Sequence, residues 1–138
     1  MDKQRFLELL NEDLSTEYQS IIQYVQHAAT VKGAQYHSIV EELNNHLNQE
    51  LQHAQTLAKQ IDFLGGTPTV KIPEIRSIAD GASALRADLD LEERQLSRYR
   101  QRVADATDLG LPDVAEALKP LLTQTQDHVA ELRDAVGE

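Results

Sequence analysis

From about Lys3 to Val31 the chain runs without a glycine or proline, and its apolar residues recur every three or four positions as Phe6, Leu10, Leu14, Ile21, Tyr24 and Ala28. That period is one face of a long amphipathic helix. Three more segments of the same kind follow. The second runs from about Ala34 to Leu64 and is closed by Gly65-Gly66, a helix-ending signal. The third starts near Ala79 or Asp80 and ends at Leu109-Gly110-Leu111-Pro112, where Pro112 suits the first turn of the fourth. The fourth carries Val114, Leu118, Leu121, Leu132 and Ala135, with Pro120 as an expected kink.

Short breaks after the first and third segments make each pair an antiparallel hairpin. Between the hairpins, Gly65 to about Ile78 contains Pro68 and Pro73 and is too irregular for a helix. Extended at about 3.3 Å per residue, such a connection reaches roughly 40 Å, while a 30-residue helix is about 45 Å long. The expectation is an all-α fold: one four-helix bundle domain over residues 1–138, with one long crossover between the second and third helices.

The helical stripes are interrupted by polar residues near their centres. The first has Glu17, the second His46, Glu50 and His53, the third Glu92, and the fourth Thr125 and His128. An ionised carboxylate buried without a partner loses its hydration and must neutralise or pair. Three carboxylates converging with two imidazoles therefore need protons or a cation. The chain has no cysteine, so any metal must be held by oxygen and imidazole nitrogen, a donor set that suits iron or manganese, with zinc as another occupant. Apolar runs are only a few residues long, far below the roughly 20 needed to span a bilayer. The start, Met1-Asp2-Lys3-Gln4-Arg5-Phe6, lacks the pattern of a secretory signal, so the expected location is the cytoplasm, with no membrane partner. A formal net charge of −10 argues against nucleic acid as a partner.

The segments Glu17-Tyr18-Gln19-Ser20-Ile21-Ile22-Gln23-Tyr24, Glu50-Leu51-Gln52-His53-Ala54 and Asp88-Leu89-Asp90-Leu91-Glu92 give the chain a resemblance to bacterioferritin and the ferritin-like di-iron carboxylate family. That family places a Glu on each of the first and third helices and a Glu-x-x-His on each of the others. The resemblance implies that Glu17 and His53 are terminal ligands to one iron, Glu92 and His128 to the other, and Glu50 a bridge. It implies Fe(II) oxidation by oxygen or peroxide with iron storage or detoxification, one or two iron ions, and a homo-oligomer.

Three departures accompany it. Thr125-Gln126-Asp127-His128 puts a threonine where the second bridging Glu would stand. Leu51 follows Glu50 where the family's haem-ligating methionine would be, so no haem is expected. Only ten residues follow His128, and without a fifth helix a dimer or twelve-subunit shell is expected rather than a 24-subunit cage. His46 reads either as an added ligand or as a histidine outside the ligand set. Tyr24 reads as a donor near the site or as ordinary core. Glu131 is not substituted for Thr125, and His27 and His37 have no role assigned. The rival readings are a non-catalytic bundle with a degenerate site, a rubrerythrin-like peroxidase, which lacks its cysteines here, and a DNA-protecting mini-ferritin, which the charge disfavours.

Overall fold

The computed structural model describes all 138 residues. Its helices are α1 (Lys3–Thr30), α2 (His37–Phe63), α3 (Gly81–Asp108) and α4 (Pro112–Val136), with a 3₁₀ turn at Ala34–Tyr36 before α2. That turn is where the second segment departs from the expected start, since the chain needs one tighter turn to reverse after Gly33. α4 continues through Pro120, on its exposed side, without interruption.

Local chemistry sets the helix ends. Asp2 caps α1 by accepting from the Arg5 amide at 2.8 Å, and Asp80 caps α3 by accepting from the Ser83 amide at 2.9 Å. α2 and α3 close in the same manner. Gly65 and Gly110 take φ values of +87° and +73°, and the next residue's amide reaches back into the last turn: Gly66 to the Ile61 carbonyl and Leu111 to the Ala106 carbonyl, both at 2.9 Å. Only glycine takes that backbone conformation without steric cost.

α1 packs on α2 and α3, and α4 on α3 and α2. Asp13 meets Arg102 while His27 meets Asp88, so α1 and α3 are antiparallel; His46 meets Glu131 while His53 meets Gln124, so α2 and α4 are antiparallel too. Gly81, at the start of α3, lies against Val31 and Tyr36 at the far end of the first hairpin. The connection after α2 therefore traverses the length of the bundle, as a single crossover requires. It is tied to the outer side of α1. Asn11 donates to the Thr67 carbonyl and accepts from the Thr69 amide, Ser15 donates to the Lys71 carbonyl at 2.7 Å, and Tyr18 donates to the Thr69 carbonyl at 3.0 Å. Side chains thus supply the partners that a sheet would otherwise give this extended backbone.

The interior is two apolar clusters rather than one. The first gathers Phe6, Leu10, Leu57, Ile61, Val114 and Leu118 at one end; the second gathers Ile39, Leu43, Leu85, Leu89 and Leu132 at the other. A polar layer separates them. No helix is long and apolar enough to cross a membrane.

Candidate metal centre

Glu17, Glu50, His53, Glu92, Thr125 and His128 are all buried, none more than 1% exposed. Glu17 comes from α1, Glu50 and His53 from α2, Glu92 from α3, and Thr125 and His128 from α4. They meet in two overlapping groups whose ligand atoms are mutually within 4.8 Å, Glu17 with Glu50 and His53, and Glu50 with Glu92 and His128. Glu50 belongs to both.

Each outer carboxylate is held by one oxygen. Glu17 Oε1 accepts from Gln95 at 2.9 Å and from the Tyr99 hydroxyl, and Glu92 Oε1 accepts from the Tyr24 hydroxyl at 2.7 Å. The second oxygen of each has no hydrogen-bond partner, and neither do the two oxygens of Glu50. Such unpaired buried acceptors are expensive unless something positive sits among them.

The imidazoles are oriented from behind. His53 Nε2 lies 2.7 Å from the amide oxygen of Gln124, and His128 Nε2 lies 2.5 Å from that of Gln49. An amide oxygen only accepts, so both rings carry a proton on Nε2 and turn Nδ1 toward the carboxylates. His53 Nδ1 stands 3.6 Å from Glu17 Oε1 and 3.6 Å from Glu50 Oε2; His128 Nδ1 stands 3.0 Å from Glu50 Oε1 and 3.2 Å from Glu92 Oε1. Burial alone would lower the pKa of each ring, but the carboxylates outweigh it and push His53 up to about 11 and His128 up to about 10. Burial, with Glu50 beside it, raises Glu17 well above the usual carboxylate range. In the absence of a cation, protons hold this layer together. Unpaired carboxylate oxygens together with Nδ1 atoms make a hard oxygen and imidazole donor set, which fits iron.

Thr125 is fully buried and its hydroxyl has no partner. Thr16, Thr30, Thr107 and Thr123 each donate to the carbonyl four residues back, as helical threonines commonly do, and Thr125 does not.

Beyond the expected residues, the structure brings in Gln49, Gln95, Tyr99 and Gln124. It also gives His27 a partner: its ring lies 2.8 Å from Asp88, which accepts from Gln23 as well. At the other end of the α1–α3 contact, Arg102 donates to Asp13 at 2.6 Å and to Asp105 at 3.0 Å. One sequence signal would have exposed most of these. A constant offset of 75 relates the two hairpins: 13 to 88, 17 to 92, 24 to 99, 49 to 124, 50 to 125 and 53 to 128. At every one of these pairs the residue type repeats except the fifth, where Glu50 answers to Thr125.

The ferritin-like domain model matches residues 7–138. The chain belongs to the ferritin-like domain family. A bacterial ferritin of Neisseria meningitidis serogroup B is 34% identical over 89 residues, covering 64% of this chain and 58% of that protein, so the match spans under two thirds of that relative. Among solved structures, a ferritin-like di-iron carboxylate protein of Bacillus anthracis superposes with a TM-score of 0.91 at 30% identity over 99% of both chains. A dodecameric thioferritin, the bacterioferritin-related protein of Bacteroides fragilis, shares the fold with a TM-score of 0.88 at 24% identity, over 99% of this chain and 87% of that one. This ferritin-like chain thus has the bundle and single crossover expected from its sequence.

Proposed function

We propose that this protein binds iron through Glu17, Glu50, His53, Glu92 and His128, oxidises Fe(II) there, and serves iron storage or detoxification. The observation that carries the reading is the set of unpaired buried atoms, Glu17 Oε2, both oxygens of Glu50, His53 Nδ1 and Glu92 Oε2, contributed by three helices to one layer. Glu17 with His53 would hold one ion and Glu92 with His128 the other, while Glu50, whose two oxygens face different histidines, would bridge them. Bound iron supplies the redox chemistry, two Fe(II) each giving one electron to dioxygen or peroxide. The protein's part is to fix the donors, exclude bulk water with its two apolar clusters, and take up or release protons at the Nδ1 atoms.

Thr125 supports a second reading, a bundle whose degenerate site serves a structural or interaction role. Metal content of protein purified from iron-supplied cells, followed by Fe(II) oxidation in air, separates the two. Two irons per chain and oxidation faster than in buffer support the proposal. Metal-free protein that neither binds nor oxidises Fe(II) overturns it and leaves the structural module. We also propose a cytoplasmic homo-oligomer, a dimer or twelve-subunit shell, in line with the dodecameric relative and with Ile22, Val25 and Leu51 lying exposed. Light scattering giving about twenty-four times 15.5 kDa would refute that assembly.

A further inference from the structure

We propose that Gln95 is a positioning residue that makes Glu17 a one-oxygen ligand, while Glu92 stays free to hold its ion through both oxygens. The inference rests on the proposed function and says how the two halves of that site differ.

A carboxylate oxygen has two lone pairs, and a bond to a metal uses one of them. Glu17 Oε1 gives both to protein donors, the Gln95 amide at 2.9 Å and the Tyr99 hydroxyl. Its Oε2 has no partner and is the only oxygen left for an ion. Glu92 is built differently. Its Oε1 accepts from a single hydroxyl, that of Tyr24 at 2.7 Å, and its other neighbour is His128 Nδ1 at 3.2 Å. That nitrogen is the one the proposed function gives to the ion, so in the loaded site it no longer holds the second lone pair of Oε1. Glu92 Oε2 has no partner either. Carboxylates hold divalent ions through one oxygen or two, and the groups behind a ligand orient it.

The difference originates where the two hairpins meet. The 75-residue offset pairs Glu17 with Glu92, Tyr24 with Tyr99, and Ser20 with Gln95. Ser20 and Gln95 face each other: Ser20 Oγ donates to Gln95 Oε1 at 3.0 Å, and both side chains are buried. Residues in contact with their own counterparts lie on the pseudo-symmetry axis, between the two carboxylates. Only the glutamine is long enough to reach one of them, and the Ser20 hydroxyl sets which way it faces. With its amide oxygen held by Ser20, Gln95 turns Nε2 to Glu17. Glu92 receives no such donor from Ser20. Thr125 leaves the His128 side one carboxylate short, and that is the side where Glu92 keeps a second oxygen to offer. Chelation there replaces the missing donor atom, though not its charge.

The test compares three proteins loaded with Fe(II) in the absence of oxygen. They are wild type, Gln95→Met, which keeps the side-chain length and loses the donor, and the exchange variant Ser20→Gln/Gln95→Ser, which moves the donor across the axis. Crystal structures read the coordination directly. Infrared difference spectra read it in solution, because the antisymmetric and symmetric carboxylate stretches lie further apart for one-oxygen than for chelating ligands. In wild type, Glu17 is expected to bind through Oε2 alone and Glu92 through both oxygens. Gln95→Met is expected to bring Glu17 Oε1 onto its ion, and the exchange variant to reverse the roles of Glu17 and Glu92. A merely structural Gln95 would lower stability in urea and leave the coordination as it was. Wild-type Glu17 bound through both oxygens, wild-type Glu92 bound through one or none, or variants with unchanged coordination overturn the inference and leave the proposed function standing. A wild-type layer that takes up no Fe(II) overturns the proposed function and the inference with it.

Discussion

Tyr24 of α1 donates its hydroxyl to Glu92 of α3 at 2.7 Å, and the exchange is mutual, since Tyr99 of α3 donates to Glu17 of α1. Each outer carboxylate is thus held by the helix that carries the other, and the pairing ties α1 to α3 at the level of the site. A hydrogen bond to a charged group contributes about 1.5–3 kcal/mol. Tyr24→Phe should lower the stability of the chelator-treated protein by about that much, read from urea unfolding. An unchanged midpoint and slope would mean that the Tyr24–Glu92 hydrogen bond contributes nothing to the metal-free fold.

The fold was largely legible from the stripes. Long runs without glycine or proline, and the signals at Gly65 and Gly110, place the helix ends to within a few residues. The five residues proposed as ligands stood out because each interrupts an apolar series, and the structure brings all five into one layer. Gln49 and Gln124 did not stand out. They sit at the edge of their stripes, half-buried, where glutamine is ordinary, and their role appears only when a histidine from the facing helix arrives. His27 is equally silent in the sequence, because its partner Asp88 is 61 residues away and on another helix. Helical period reports which face a residue is on, not which residue of the neighbouring helix it meets.

Metal should stabilise the protein and displace protons. Glu17, His53 and His128 all hold their protons more tightly in the fold than in the unfolded chain. The folded state therefore binds more protons, and by linkage the metal-free protein loses stability as pH rises. The histidine contribution is complete below about 6.5 and fades as pH climbs toward about 10 for His128 and about 11 for His53. Glu17 has the same sign, its penalty setting in as pH rises past the usual carboxylate range. A cation replaces these protons, so its affinity should rise with pH. Thermal unfolding with Mn(II) against chelator should show a gain in Tm that grows from pH 6 to pH 8, and an unbuffered titration should turn acidic. A midpoint indifferent to metal at all these pH values would contradict an occupied carboxylate site.

Arg102 is the buried cation of the α1–α3 contact, donating to Asp13 through two nitrogens at 2.6 and 3.1 Å. Burial raises the Asp13 carboxyl even with Arg102 beside it. Removing one partner of a buried pair leaves an uncompensated charge, at a cost of about 3–5 kcal/mol, whereas replacing both by apolar residues is often neutral. Arg102→Met should therefore destabilise strongly, and the triple variant Asp13→Leu/Arg102→Met/Asp105→Asn, which also neutralises the second buried carboxylate that Arg102 holds, should recover most of the loss in urea unfolding. If the triple variant is no better than the single one, the cluster is needed for its hydrogen-bond geometry and not merely for charge balance.

Thr125 is the position where the second hairpin fails to repeat the first, standing where Glu50 would recur. Its buried hydroxyl has no partner and supplies no charge. Thr125→Glu should add a second bridging carboxylate to Glu50 and Glu92, raising affinity for the ion on the His128 side. Without metal the same change buries one more negative charge, and the chelator-treated variant should unfold about 1–3 kcal/mol more easily than wild type, the usual cost of an unpaired buried polar group. Glu50→Ala should weaken both ions, and without metal it should also lower stability, because it removes the carboxylate that faces both histidines. Titration of the three proteins with Fe(II), followed by oxidation in air, reads both effects. If Thr125→Glu alters neither stoichiometry nor rate while Glu50→Ala abolishes binding, the metal belongs to Glu17, Glu50 and His53 alone. A single-ion site built from the first hairpin would then replace the paired one.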